Sequence, residues 1–242
     1  MDFTNQVVLV TGGSRGIGRA CANMFAEHGA RVAVHYHRNQ AAAEATLAAL
    51  PGSGHMLARA DIASPAEVQA MVDSVAAQMG GLHVLVNNAG IYEKRPFTTL
   101  SYDDWQAHWN NIIQTNLIGA ANAAFCAAQH MLKQGCGRIV NISSRGAFRG
   151  EPDSPAYGAA KAGMNAMSQS LAKALAPFNI IVTAVAPGWI ETDMATDHLA
   201  ERGDEMRQQS PLGRIGQPEE IAYTVLFLAS KGTEYLTGAI VD

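Results

Sequence analysis

Tyr157 and Lys161 stand four residues apart in Tyr157-Gly158-Ala159-Ala160-Lys161, just after Ser154-Pro155. On a helix such residues share a face, so the Lys161 ammonium can sit near the Tyr157 phenol. A nearby cation favours phenolate and lowers a tyrosine pKa from about 10. Tyr157 then becomes a usable general acid or base. Taken alone, this spacing also reads as an ordinary helix pair. Upstream, Ile139-Val140-Asn141-Ile142-Ser143-Ser144 ends an apolar run on two hydroxyls. Either can hydrogen-bond a carbonyl oxygen beside Tyr157, or cap a turn.

A second cluster lies near the start. Val7–Val10 runs into Thr11-Gly12-Gly13-Ser14-Arg15-Gly16-Ile17-Gly18, and a helix is expected from there to about His28. Glycines let the backbone turn tightly and approach a pyrophosphate, and a helix N-terminus offers it unpaired N–H groups. Gly12, Ser14, Arg15, Gly16, Ile17 and Gly18 are therefore cofactor-binding candidates. The spacing Gly-x-x-x-Gly-x-Gly differs from the common Gly-x-Gly-x-x-Gly. The next strand ends His35-Tyr36-His37-Arg38, with no acid to bind the ribose 2′-hydroxyl of NAD. His37 and Arg38 join the candidates, and Arg15 with Arg38 can hold a 2′-phosphate through their guanidinium groups. The cofactor expected is NADP(H) ahead of NAD(H). Gly12–Gly16 also matches the Gly-x-Ser-x-Gly elbow of hydrolases, with His198 available downstream, but an elbow normally follows several strands and one precedes it here. His35 and His37 share a strand face without an acidic or cysteine neighbour, so no metal site is expected.

Short apolar runs alternate with helical stretches from end to end. The runs are Val7–Val10, Val32–Val34, Met56–Leu57, Leu82–Val86, Ile139–Ile142, Ile180–Val185 and Ala239–Val241. They are mostly apolar throughout, as in strands covered on both faces. Ser64-Pro65-Ala66-Glu67 reads as a capping box, and Ser101-x-x-Asp104, Ser154-Pro155 and Gln217-Pro218-Glu219-Glu220 as further helix starts. The pattern predicts a single-domain α/β Rossmann fold over 1–242, a doubly wound parallel sheet of about seven strands with helices on both faces. Gly90–Leu100 and Gly188–Ser210 resist assignment. Each follows a strand's carboxyl end, and the second is long enough for a substrate-binding loop or lid.

Together the marks resemble the short-chain dehydrogenase/reductase family over essentially the whole length. They are Thr11-Gly-x-x-x-Gly-x-Gly18, Asp61, Asn87-Asn88-Ala89-Gly90, Asn116, Ser144, Tyr157-x-x-x-Lys161 and Pro187-Gly188. The resemblance implies hydride transfer between NAD(P)H and a carbonyl or alcohol. Tyr157 would be the proton donor in reduction, and Lys161 would lower its pKa and bind the nicotinamide ribose. Ser144, thirteen residues before Tyr157, is the family serine rather than Ser143, and would polarise the substrate oxygen. Asn116 would hold a relay water. Asp61 and Ile62 would contact adenine, Asn88, Ala89 and Gly90 would line the cofactor, and Pro187, Gly188, Ile190 and Thr192 would flank the nicotinamide.

Ala186–Met194 and Pro211–Glu220 look like 3-oxoacyl-carrier-protein reductases, a subgroup that is NADPH-dependent and tetrameric. Two positions where such enzymes tend to place arginine hold Gly135 and Phe178. The chain also ends at Asp242, where the family continues into a glycine-rich tail. A ketone or 3-oxoacyl carbonyl is the expected substrate. The alternatives are an NAD(P)-dependent dehydrogenase of a sugar or another secondary alcohol, and an NADP(H)-binding sensor or scaffold.

Composition sets the outer limits. Seventeen basic against twenty-one acidic residues give a net charge of −4, which argues against nucleic acid as a partner. Three cysteines without Cys-x-x-Cys spacing suggest neither disulfides nor zinc. The N-terminus does not read as a signal peptide, and no run is long enough to span a bilayer, so a cytoplasmic protein is expected. Only 16% of residues are charged. The helices expected over Asp103–Lys133 and Pro155–Phe178 carry alanine clusters and few charges; the resemblance implies that these two helices pair across a subunit interface, so a homotetramer is expected.

Overall fold

Seven apolar runs form strands: β1 (Val7–Val10), β2 (Arg31–Tyr36), β3 (Met56–Arg59), β4 (Val84–Asn87), β5 (Gly137–Ile142), β6 (Ile180–Val185) and β7 (Ile240–Val241). All pair in parallel, in the order β3-β2-β1-β4-β5-β6-β7. The computed structural model describes residues 1–193 and 196–242, the side chains of 196–201 apart. The helices are α1 (Gly16–Glu27), α2 (Gln40–Ala49), α3 (Pro65–Met79), α4 (Tyr102–Ile113), α5 (Gly119–Gln134), the short α6 (Gly146–Arg149), α7 (Pro155–Leu175), α8 (Thr196–Gln208) and α9 (Pro218–Ala229).

Successive strand residues point to opposite faces, so each strand feeds two cores. Val7, Leu9, Leu85 and Ile139 pack with Val72 and Val75 of α3 and Ala124 and Met131 of α5. Val8, Val10, Val84 and Val140 pack with Phe25 of α1 and Leu226 of α9. Strand order reverses between β1 and β4, and there a crevice opens outside the carboxyl ends, where doubly wound sheets bind ligands.

Local detail departs from expectation in three places. The helix expected over Asp103–Lys133 is two helices joined by a π turn at Gln114–Ile118, where Gly119 N–H donates to Gln114 O. Gly119 lies so close to the chain after β3 that a Cβ there would sit 2.5 Å from Ile62 O. At the start of α3, Ser64 accepts from Glu67 N–H, but the Glu67 carboxylate accepts from Asp61 N–H at 2.9 Å. The capping box is thus half formed, and its acid fixes Asp61 instead. Ser154 caps nothing with its side chain, whose hydroxyl sits 3.4 Å from His108 Nε2.

A buried polar chain ties the carboxyl ends of β4 and β5 to α7. Asn87 donates to Asn141 Oδ1 at 2.9 Å and to Ala120 O at 3.0 Å; Asn141 donates to Ser168 Oγ at 2.8 Å. Buried amides must be paired, so these bonds fix how α7 lies on β5.

Candidate active site

The glycine turn is shaped by its neighbours. Thr11 Oγ1 donates to Val86 O and accepts from the N–H groups of Asn88 and Ala89. Asn88 Nδ2 donates back to Thr11 O and Gly12 O. Gly12 and Gly16 take positive φ, 63° and 52°, which side chains resist. Arg15 precedes α1 in extended backbone with no side-chain cap, and the first turn holds no acid. Helix N–H groups and the positive dipole end therefore stay open to an anion. Gly18 behaves differently from the expectation that it contacts cofactor. It lies outside the cleft lining, and a Cβ on it would sit 2.1 Å from Gly12 O, so it exists to let α1 pack on the turn.

His35, not singled out as a binding residue by the sequence, holds this turn from below. Its Nδ1 accepts from Gly12 N–H at 2.8 Å, and its Nε2 sits 3.1 Å from Ala60 O. The ring is thus the neutral Nε2–H tautomer, with both nitrogens engaged in positioning the backbone. Burial pushes its pKa from 6.5 down to about 4. The unfolded chain takes up this proton below 6.5 while the folded chain excludes it until about 4. Stability is therefore lost as pH falls through that window, by about 3 kcal/mol for this group. In His35→Asn, unfolding free energies measured by denaturant at pH 7 and pH 5 should converge relative to the parent. An unchanged pH slope would contradict the assignment.

Sixteen of the sequence candidates in the turn and at the strand ends, together with Ser144, Tyr157 and Lys161, line one cleft of about 670 Å³ along the carboxyl ends of the strands. At one end Arg15 and Arg38 are exposed on its rim. Arg15 Nη1 lies 3.7 Å from Asp193 Oδ2, with both side chains about two-thirds exposed. His37 Nε2 stands 3.8 Å from Asp61 Oδ2, and Asp61 Oδ1 accepts from Ala63 N–H. Asn88, Ala89 and Gly90, Pro187, Gly188, Ile190 and Thr192, and Ile62 next to Asp61 in the chain all line the cleft.

At the other end Ser144 follows β5, and its Oγ accepts from Gly146 N–H at 3.1 Å. Tyr157 and Lys161 lie one turn apart on α7, with Nζ 5.7 Å from the Tyr157 ring centre. Lys161 Nζ donates to Ile142 O at 2.7 Å, and Ser143 Oγ donates to Lys161 O. Ser143 thus ties strand to helix, leaving Ser144 to hydrogen-bond Tyr157. Tyr92 meets the Tyr157 ring edge-on at 5.1 Å.

The electrostatics differ from the sequence expectation. Burial pushes Tyr157 up to about 12, although a Ser144 hydrogen bond pulls it down, and burial pushes Lys161 down to about 8. Lys161 therefore does not bring the phenol below its ordinary value here, because burial of the phenol dominates and Glu151 adds to it. The consequence is a protonated phenol at neutral pH.

Asn116, expected to hold a relay water, has its side chain on the backbone of a neighbouring segment. It is fully buried outside the cleft lining, and its amide bonds both backbone atoms of Ile91, accepting from N–H and donating to O, each at 2.8 Å. The side chain braces the wall beside Gly90, whose added Cβ would lie 3.1 Å from Asn116 Oδ1. The loop expected over Gly188–Ser210 falls partly outside the described residues, as do Met194 and the side chain of His198. Arg145, Arg149, Glu151 and Trp189, none of them singled out as a site residue by the sequence, also line the cleft.

A cleft with an uncapped helix N-terminus at one end and a buried phenol beside a buried ammonium at the other has the architecture of a dinucleotide-linked oxidoreductase. A family model described as Enoyl-(Acyl carrier protein) reductase matches residues 12–242. The chain is 39% identical over 243 residues to the 3-oxoacyl-[acyl-carrier-protein] reductase FabG of Chlamydia trachomatis, covering 99% of this chain and 96% of the relative. It is 42% identical over 233 residues to FabG of Staphylococcus aureus, covering 95% and 93%. A short-chain dehydrogenase from Burkholderia cenocepacia, solved in complex with NADP, superposes with a TM-score of 0.90 at 33% identity, covering 100% of this chain and 97% of that one. The chain belongs to the short-chain dehydrogenase/reductase family.

Proposed function

We propose that the chain uses NADPH to reduce a 3-oxoacyl-type ketone to the alcohol, with Tyr157 as general acid. The observation that carries this reading is the meeting of Ser144, Tyr157 and Lys161 in the cleft that begins at the glycine turn. The residues fit NADP(H). Gly12 and Gly16 admit a close backbone approach, α1 begins without a side-chain cap or an acid, and Arg15 and Arg38 offer charge to a 2′-phosphate. By family resemblance Asp61 and Ile62 take the adenine, and the 88–90 and 187–192 walls take the nicotinamide. When bound, NADPH supplies the hydride to the carbonyl carbon.

The chain's own part is to manage the oxygen. Tyr157 carries its proton at neutral pH and gives it to the carbonyl oxygen. Ser144 donates a second hydrogen bond to that oxygen as its negative charge grows. Lys161, held by Ile142 O, favours the phenolate left behind.

The family model is described by an enoyl reductase and the relatives by 3-oxoacyl reductases. Two hydroxyls converging on one oxygen suit the ketone. The test follows NADPH consumption with 3-oxoacyl thioesters of carrier protein and of coenzyme A, beside the matching enoyl thioesters. The 3-oxo compounds should win by at least about tenfold in kcat/KM. Faster enoyl reduction would overturn the reading. The exposed positions Gly135 and Phe178 offer a carrier protein no arginine, and Arg138 is held by Glu234.

We read residues 1–242 as one cofactor-binding domain, with 188–210 as its substrate loop. No helix among the described residues is long and apolar enough to cross a membrane, and a cytoplasmic setting is part of the proposal. So is a homotetramer, supported by Phe125 standing 65% exposed on the alanine-rich α5. Light scattering should return four times the chain mass of 25.6 kDa; a monomer would refute it.

A further inference from the structure

The substrate end of the cleft holds a polar cluster that none of these steps uses. Gln209, one residue past α8, sets its side-chain oxygen against three donors. They are Arg145 Nη2 at 2.9 Å, Arg149 Nη2 at 2.8 Å and Trp189 Nε1 at 3.0 Å. Arg145 Nη1 also donates to Gln209 O at 3.1 Å. All three donor residues line the cleft. Arg145 directly follows Ser144, and its own N–H is fixed on Pro187 O at 3.0 Å. The cluster is therefore tied by backbone to the hydroxyl that would hold the reacting oxygen.

Two guanidinium groups sharing a neutral amide is an unusual economy, because their planar forks match carboxylate or phosphate. Among the described residues neither arginine has a carboxylate within ion-pair distance. Arg145 Nε is buried without a partner. Arg149, Asp242 and Glu151 act on Arg145 at longer range, and Asp153 and Arg202 lie about Glu151 in turn. Burial holds the Glu151 carboxyl above its ordinary value, while Arg149 and Arg145 pull it down.

We propose that Arg145, Arg149 and Trp189 form a subsite for a carboxylate on the substrate, so that the preferred ketone is an oxo acid or a 3-oxoacyl thioester bearing a second, terminal carboxylate. The proposal rests on the reductase reading and names its substrate class. Gln209 Oε1 marks the place where the anionic oxygen sits, and a bound carboxylate displaces it. A fork-to-carboxylate contact replaces an amide contact, and the exchange adds a negative acceptor to hydrogen bonds whose arginine donors are already charged.

The test is a series of oxo acids with two to five bonds between carbonyl and carboxylate, each beside its methyl ester, assayed with NADPH. At the best spacing the acid should exceed its ester by about tenfold or more in kcat/KM. Arg149→Gln should bring that ratio close to one, and Gln209→Ala should raise it by vacating the acceptor position. General damage to the fold would lower both members of a pair and leave the ratio standing, which would overturn the proposal. Equal rates for acid and ester at every spacing would overturn it too. If no ketone in any assay is reduced, the reductase reading itself fails. Calorimetric titration of glutarate into the NADP⁺-saturated protein then decides the subsite: binding abolished by Arg149→Gln upholds it, and no binding by the parent overturns it.

Discussion

Tyr157→Phe should lower kcat by about 10²–10⁴-fold, the range associated with loss of a positioned general acid. The substitution removes one hydroxyl from a buried ring and leaves the ring's edge-on contact with Tyr92 intact. Fold and cofactor affinity should therefore hardly change, and the loss should fall on kcat rather than on the KM for NADPH. Steady-state kinetics together with fluorescence titration of NADPH separate the two. The pH profile adds a second handle. Burial keeps Tyr157 protonated up to about 12, so the donor itself imposes no loss of activity between pH 6 and 8. Lys161, with its pKa near 8, is the group whose deprotonation would be felt as pH rises past neutrality. Activity of the parent enzyme should decline above about pH 8, and a flat profile to pH 10 would separate Lys161 from the reaction.

The double substitution Arg15→Ala with Arg38→Ala should collapse the preference for NADPH over NADH by about 10²-fold in kcat/KM. Each charge-assisted hydrogen bond to a phosphate contributes about 1.5–3 kcal/mol, discounted here because both side chains are exposed. The pair between Arg15 and Asp193 offers little resistance to recruitment, since surface pairs of this kind contribute at most about 1 kcal/mol. The effect should fall on NADPH, leave NADH kinetics near those of the parent and shrink in high salt. Preference unchanged by the double substitution would place the 2′-phosphate elsewhere.

The strands and the turn were legible because their signals are local. An apolar run such as Val7–Val10 buries both faces wherever it is placed, and the glycines after it have few conformations that side chains would tolerate. Tyr157, Lys161 and Ser144 were legible through spacing and resemblance together, and the structure gathers them at one end of the cleft. What stayed hidden depends on partners far away in sequence. Nothing in the helical pattern around Asn116 announces a π turn, and its amide is claimed by Ile91, twenty-five residues earlier. Gly18 looked like a phosphate contact, yet its role is set by the carbonyl of Gly12. His35 looked like one of an idle pair until its ring met the Gly12 N–H. The direction of the Tyr157 shift could not be read from the Lys161 spacing, because the deciding factor is burial by other segments. The convergence of Arg145 and Arg149 on Gln209 spans about sixty residues and carries no sequence pattern.

The most direct measurement is a single turnover with NADPH deuterated at the transferable position and a 3-oxoacyl thioester, analysed by NMR of the product. The account predicts deuterium on the carbon that bears the new hydroxyl, formed rapidly by the parent protein and slowed by orders of magnitude in Tyr157→Phe. Product formed at the parent rate in Tyr157→Phe, or ketone left unreduced while an enoyl thioester takes up the label, would contradict it.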